Sequence, residues 1–307
     1  MNRSFGFFFQ KEVLCFLLLL LSACGTSCGL DGRSVLPITM VGGAPMVAVT
    51  INDRRANLLL DTGADATVLG RSVASVLGVR PRPGGITISS SVGGSQAVEH
   101  ATVDRLQVAD QRFDALGVTL ADVPIGDGVL GLDVLSRYDL EVDLSRGEAF
   151  LHHGSVCPGQ LPPMRGAILE IPAVRGVLRA EQNGVRGDPY LMVPVSLDDA
   201  KAFAVLDTGA LAGTLVSQDF AAHAGVSAAG LAGDPTSNLR GFGSQTPVRL
   251  HRFGELLVGR EIFQAPAIFV GGALRAQIPV ILGADYFRGH RVWFGFVGGR
   301  VFVTPAG

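Results

Sequence analysis

Charge is scarce in this sequence. Asp, Glu, Lys and Arg make up 17% of 307 residues, and 25 basic side chains stand against 27 acidic ones for a net charge of −2. The basic residues are scattered with no basic run, which removes the electrostatic footprint that nucleic-acid binding needs. Long apolar runs are also missing. The stretch VLCFLLLLLSA at 13–23 has 11 residues, about half of what a bilayer-spanning helix requires. Cysteine is rare, with four in the chain. Cys15 lies inside the apolar run and Cys24 directly after it, so Cys28 and Cys157 remain. An oxidising compartment would permit a bridge between these two, and the sequence leaves that open. No metal-ligand spacing occurs. His152 and His153 are adjacent, would point to opposite faces of a strand, and read as surface residues at a strand end.

What is present is apolar and rich in turns. Hydrophobic residues reach 48% and Gly 41 of 307, a mixture expected of a compact β protein and not of a disordered or coiled-coil chain. The length suits two domains, each with its own core. At the N-terminus, Arg3 and Lys11 precede the apolar run, which ends in LSAC at 21–24. This resembles the bacterial lipoprotein signal. The resemblance implies a signal peptide over 1–23, acylation of Cys24, and a membrane-tethered protein facing the periplasm, with Gly25 after the Cys directing it to the outer membrane. An ordinary secretory signal cut near Ala23 or Gly25 is the alternative. Both export the chain.

The sequence then repeats itself. PMVAVTINDRRANLLLDTGA in the first half answers YLMVPVSLDDAKAFAVLDTGA in the second, each reading as strand, charged turn and strand. VGGSQAV (92–98) answers GFGSQTPV (241–248), RFDALGVTL (112–120) answers IFQAPAIFV (262–270), and GVLGLDVLSRYDL (128–140) answers VILGADYFRGHRV (280–292). The offset drifts from 146 to 149 to 152 along these pairs, as small loop insertions in a duplicated unit produce. The expected organisation is a tether at 24–34, a lobe at 35–153, a Pro- and Gly-rich linker at 154–166 (GSVCPGQLPPMRG) and a second lobe at 167–307. Short helices are expected over DVLSRY and DYFRGH.

A carboxylate set directly after an apolar strand is costly unless something satisfies it. Here that happens twice, in LLLDTGA and AVLDTGA. Gly permits a tight turn that brings N–H groups up to the Asp, and Thr offers a hydroxyl for a cross-link. If the halves pack about a pseudo-twofold axis, Asp61 and Asp207 meet, and two carboxyls in contact cannot both ionise. They share a proton, so one is a base while the other is an acid.

LLDTGADATVL and VLDTGALAGTLV, each followed by a hydrophobic-hydrophobic-Gly element (VLG at 129–131, ILG at 281–283), resemble the retropepsin-like aspartic proteases, repeated in tandem over roughly residues 35–305. The resemblance implies an all-β fold of two lobes with the active site between them. It implies a catalytic pair of Asp61 and Asp207, loops cross-linked by Thr62 and Thr208, and Gly63 and Gly209 holding the pair flat. It places flaps at Gly93 and Gly94 and at Gly241 and Gly243. It implies hydrolysis of extended polypeptides with no cofactor and no metal, by a chain acting as a monomer. The sequence departs from pepsin-like enzymes in lacking a flap Tyr near Gly93. The second copy has Leu211 where the first has Asp65, and one extra residue before Thr214. A catalytically silent peptide-binding envelope lipoprotein using the same cleft is the competing expectation, against which the two intact Asp-Thr-Gly loops weigh.

Overall fold

The computed structural model describes residues 28–176, 190–241, 245–274 and 276–306. Residues 1–27, with the signal segment and Cys24, lie outside them, as does Gly243. No helix among the described residues is long and apolar enough to cross a membrane.

Each half is built on one hairpin: Ala44–Ile51 with Arg54–Leu60, and Tyr190–Leu197 with Ala200–Leu206. The turn residues Asn52 and Asp53 have φ of 46° and 65°, and Asp198 and Asp199 have 43° and 70°. Two consecutive left-handed residues give the primed turn whose twist matches antiparallel strands, and Asn and Asp tolerate it best after Gly. Burial along both second strands alternates at first. It then becomes continuous over Leu58, Leu59 and Leu60 and over Ala204, Val205 and Leu206. The reason is the neighbour on the far side. These segments pair in parallel with Gly128–Leu130 and Val280–Leu282 and are covered on both faces, where an uninterrupted apolar run is required.

Among the described residues the strands form three sheets: eight strands in the first half, ten in the second, and six shared. The shared sheet runs Gly29–Leu36, Glu148–Ser155, Asp139–Asp143, His290–Gly295, Arg300–Pro305, Leu169–Pro172. It reads the same from either end, three strands from each half. At its centre Leu140 faces Phe294, Glu141 faces Trp293 and Val142 faces Val292. With an offset of 152 Glu141 and Trp293 are equivalent positions, so the pseudo-twofold passes through that pair.

Two expectations change here. The tether expected over 24–34 is strand from Gly29 onward, because Gly29–Leu36 pairs with Glu148–Ser155. The two His do face opposite sides, but His152 is not a surface residue. It is 3% exposed, its Nε2 lies 2.8 Å from Glu141 Oε2, and its ring sits 4.0 Å from that of Trp293. Arg291 Nε lies 2.7 Å from Glu141 Oε1, which completes a buried charge cluster in the shared sheet. The connector after Ser155 folds over this sheet, and Val156 and Met164 bury Trp293 and Phe302. Cys28 and Cys157 are disulfide-bonded with their Cα atoms 5.0 Å apart. Arg300 holds the same connector by donating to the Cys157 and Gln160 carbonyls at 3.0 and 3.1 Å.

Candidate active site

The two Asp-Thr-Gly loops leave the ends of the twice-covered strands and meet between the lobes. Asp61 N–H donates to Leu130 O at 3.2 Å and Asp207 N–H to Leu282 O at 2.9 Å, so each loop is pinned to the hydrophobic-hydrophobic-Gly strand of its own half. The threonines then tie the halves together. Thr62 Oγ1 donates to Leu206 O (2.7 Å) and Thr208 Oγ1 to Leu60 O (2.6 Å). Each hydroxyl also accepts the other threonine's backbone N–H at 3.1 Å. Both are buried, so four polar groups are satisfied only by their counterparts across the lobe boundary.

Gly63 and Gly209 are glycine for a reason other than turn geometry, since neither has a positive φ. A Cβ on Gly209 would lie 2.5 Å from Asp61 Cγ, and one on Gly63 would overlap the Asp207 carboxyl. Each glycine passes against the opposite aspartate, and only a missing side chain lets the carboxyls approach. Each also donates its N–H to its own aspartate's Oδ1, at 2.8 Å from Gly63 and 2.7 Å from Gly209.

The carboxyls are in direct hydrogen-bonding contact, and their environments differ. Burial pushes both above the ordinary 3.8. Asp61 goes well above it because the Asp207 charge adds to burial. Asp207 is held back by its bond with Asp61 and by N–H groups, among them Gly209 and that of Ala210 at 3.1 Å. The two carboxyls therefore titrate as one unit and share a proton between them.

Two further aspartates, Asp133 buried and Asp285 exposed, support the loops from behind. Thr67 donates its N–H and hydroxyl to Asp133 Oδ1 at 2.9 and 2.7 Å, and Thr214 its hydroxyl to Asp285 Oδ1 at 2.9 Å. The signal was the Asp two residues after each Gly in LGLD and LGAD. The extra residue in the second loop is absorbed at Gly213, whose φ of +123° carries the chain past the Asp285 carboxyl. The Thr–Asp bond is thus kept in both halves.

Gly93 and Gly94 sit at the tip of the hairpin Pro81–Ser91 with Gly94–Val108, and Gly241 begins the tip of Thr236–Arg240 with Gln245–Arg252. The tips touch. Thr246 Oγ1 donates to Gly93 O at 2.8 Å, Ala273 N–H donates to Val92 O at 3.0 Å, and a Cβ on Gly241 would lie 2.6 Å from Gly93 N. Beneath them is a cleft of about 190 Å³ with Asp61 and Asp207 in its wall. Its sides are apolar, with Val68, Ile125 and Val129 from the first half and Leu274, Ile278 and Ile281 from the second. Among the described residues no group of three or more His, Cys, Asp or Glu is arranged to hold a metal ion.

Comparison with known proteins agrees with this geometry. Residues 47–134 match the family model described as aspartyl protease. No curated protein matches the sequence. Among solved structures the chain is similar to the crystal structure of basic 7S globulin from soybean, with a TM-score of 0.51 and 12% identity over 90% of this chain and 96% of that one. At that identity the likeness shows the fold alone. Residues 47–134 are thus similar to the aspartyl protease family, and the chain as a whole has a two-lobed, all-β fold shared with the soybean globulin.

Proposed function

We propose that the chain is an aspartic endopeptidase that hydrolyses extended polypeptides with water activated by Asp61 and Asp207. One observation carries this reading: two carboxyls from separate lobes are held in contact by a reciprocal Thr62–Thr208 lock, under two flaps that meet over a cleft. Water bound between the carboxyls loses a proton to the ionised member of the pair as its oxygen attacks the peptide carbonyl carbon. The protonated member gives its proton to the carbonyl oxygen in the same step. The resulting gem-diol collapses when the proton taken from water passes to the leaving nitrogen and the C–N bond breaks, while a hydroxyl proton returns to the carboxyl that gave one up. The flaps supply strand edges along which an extended chain can add main-chain hydrogen bonds, and the apolar sides of the cleft accept side chains.

A peptide-holding protein that does not cut is the second reading, favoured by the likeness to a soybean protein named as a globulin and not as a protease. Incubation of the full chain with a diverse peptide mixture, read by mass spectrometry, separates the two. The expected result is new termini formed by wild type and none formed by Asp61→Asn or Asp207→Asn. Because the carboxyls act as one unit, each single variant should lose roughly three orders of magnitude or more, and the double variant no more than either. Substantial cleavage by a single variant would exclude the shared-proton pair. Binding without cleavage by wild type would favour the second reading.

A further inference from the structure

We propose that Arg240 on the second flap determines specificity, selecting peptides that carry an acidic side chain on the second-flap side of the dyad. This deepens the peptide-handling reading above and rests on it. Arg240 ends the strand Thr236–Arg240 and is the one Lys, Arg or His among the described residues lining the cleft. Its side chain is exposed and its guanidinium has no hydrogen bond or ion pair with any described residue. Most arginines near a site are spoken for. Elsewhere in the described residues, Arg71 is paired with Glu99, Arg105 with Asp53 and Arg300 with Glu170.

The asymmetry between the flaps makes Arg240 more than a surface charge. Aligning Ser-Gln at 95–96 with Ser-Gln at 244–245 puts Arg240 at the place of Ser91. The first flap faces the cleft with three serines, Ser89, Ser90 and Ser91, and the second with Arg240. A cleft built from two copies of one unit is therefore electrostatically polar from end to end. The dyad adds one negative charge at the centre. An acidic substrate side chain next to the scissile bond is repelled by that charge, and one under the first flap meets serines and no cation among the described residues lining the cleft. The favourable position is displaced from the scissile bond, beneath the second flap, where the planar guanidinium can take a carboxylate through two N–H groups. A peptide closing the cleft removes water from that contact and strengthens it. The polarity also fixes the direction in which a chain with a single acid threads the cleft.

The test uses an extended apolar peptide series with a single Glu, Gln or Lys moved through positions on either side of the centre. Binding is measured on full-length Asp61→Asn and hydrolysis on the full-length wild type. The expected order is Glu over Gln over Lys at positions on one side only, by about fivefold per step, and in KM and not in kcat. Arg240→Gln should erase the order and Arg240→Glu should invert it towards Lys. Equal binding of Glu and Lys peptides, or an order unchanged by Arg240→Glu, overturns the inference. A charge preference in binding without hydrolysis would sink the endopeptidase reading and leave this one standing. Hydrolysis without charge preference would do the reverse, and peptides that are neither bound nor cut would overturn both.

Discussion

Asp61 and Asp207 occupy equivalent positions in matching loops: Gly63 and Gly209 each give their N–H to their own aspartate's Oδ1, and Ala64 and Ala210 each give theirs to that aspartate's backbone carbonyl. Activity through this pair needs one proton, shared between the two carboxyls. The acid limb of kcat/KM then belongs to loss of the first proton, at a value raised from 3.8. The alkaline limb belongs to loss of the second, raised further by burial and by the neighbouring charge. Both limbs lie above 3.8, and activity falls as pH drops through the first or rises through the second. The residue after each Gly is Ala, which has no hydroxyl to donate. Placing donors there with Ala64→Ser and Ala210→Ser stabilises the ionised form and should move the alkaline limb to lower pH. The pH profile for one peptide, measured on both forms, checks this; an unmoved or upward-shifted limb would refute it.

At the scale of the element, the threonine lock makes two loops into one object. Thr208→Val keeps the shape but leaves the Leu60 carbonyl and the Thr62 N–H unpartnered in a buried setting. Two such losses cost about 2–4 kcal/mol together, which chemical denaturation would read as a lower midpoint. Thr246→Val removes a single exposed-side bond to the first flap and should cost less than the lock variant in the same assay. These elements were legible in the sequence to different degrees. The hairpins could be read because Asn52-Asp53 and Asp198-Asp199 sit between alternating strands, a local signal. The meeting of the loops could be read because the same seven-residue pattern recurs in a duplicated frame. The sequence shows how Gly63 and Gly209 bring their N–H groups to the aspartates, but not their close approach to the opposite aspartate across the lobes, which one copy alone cannot reveal. Asp133 and Asp285 went unread because their partners Thr67 and Thr214 lie far off in sequence. His152 was misplaced for the same reason: what buries it is Glu141 and Trp293, brought there by strand order.

At the scale of the whole molecule, the shared sheet carries charge where a core would ordinarily be apolar. Glu141 is 1% exposed and faces both Arg291 and His152. Glu141→Ala leaves those groups without their carboxylate and should cost about 3–5 kcal/mol, checked by equilibrium unfolding of the full chain. The disulfide brings the start of the described chain to the connector, so a lipid on Cys24, as the N-terminal sequence leads one to expect, would hold the protein to a membrane at that corner. Fractionation of cells making wild type or Cys24→Ala should find the first in membranes and the second released. Equal release of both would refute the anchor.

The palindromic order of the shared sheet also bears on which molecules this chain can mistake for itself. Each half presents one strand edge to the other, Asp139–Asp143 or His290–Gly295, shaped to receive a near copy. If two first halves from different molecules paired there, Glu141 would meet Glu141, two carboxylates with neither Arg291 nor Trp293 between them. If two second halves paired, Trp293 would meet Trp293, and each Arg291 would have lost its counter-ion. Only the unlike pairing supplies a carboxylate, a cation and one large ring to the axis position. Divergence at this single pair of equivalent residues therefore works as a discriminator between self and sibling. It disfavours like-with-like pairing of halves from two chains, and sedimentation of the purified protein across a range of concentrations should return a monomer throughout.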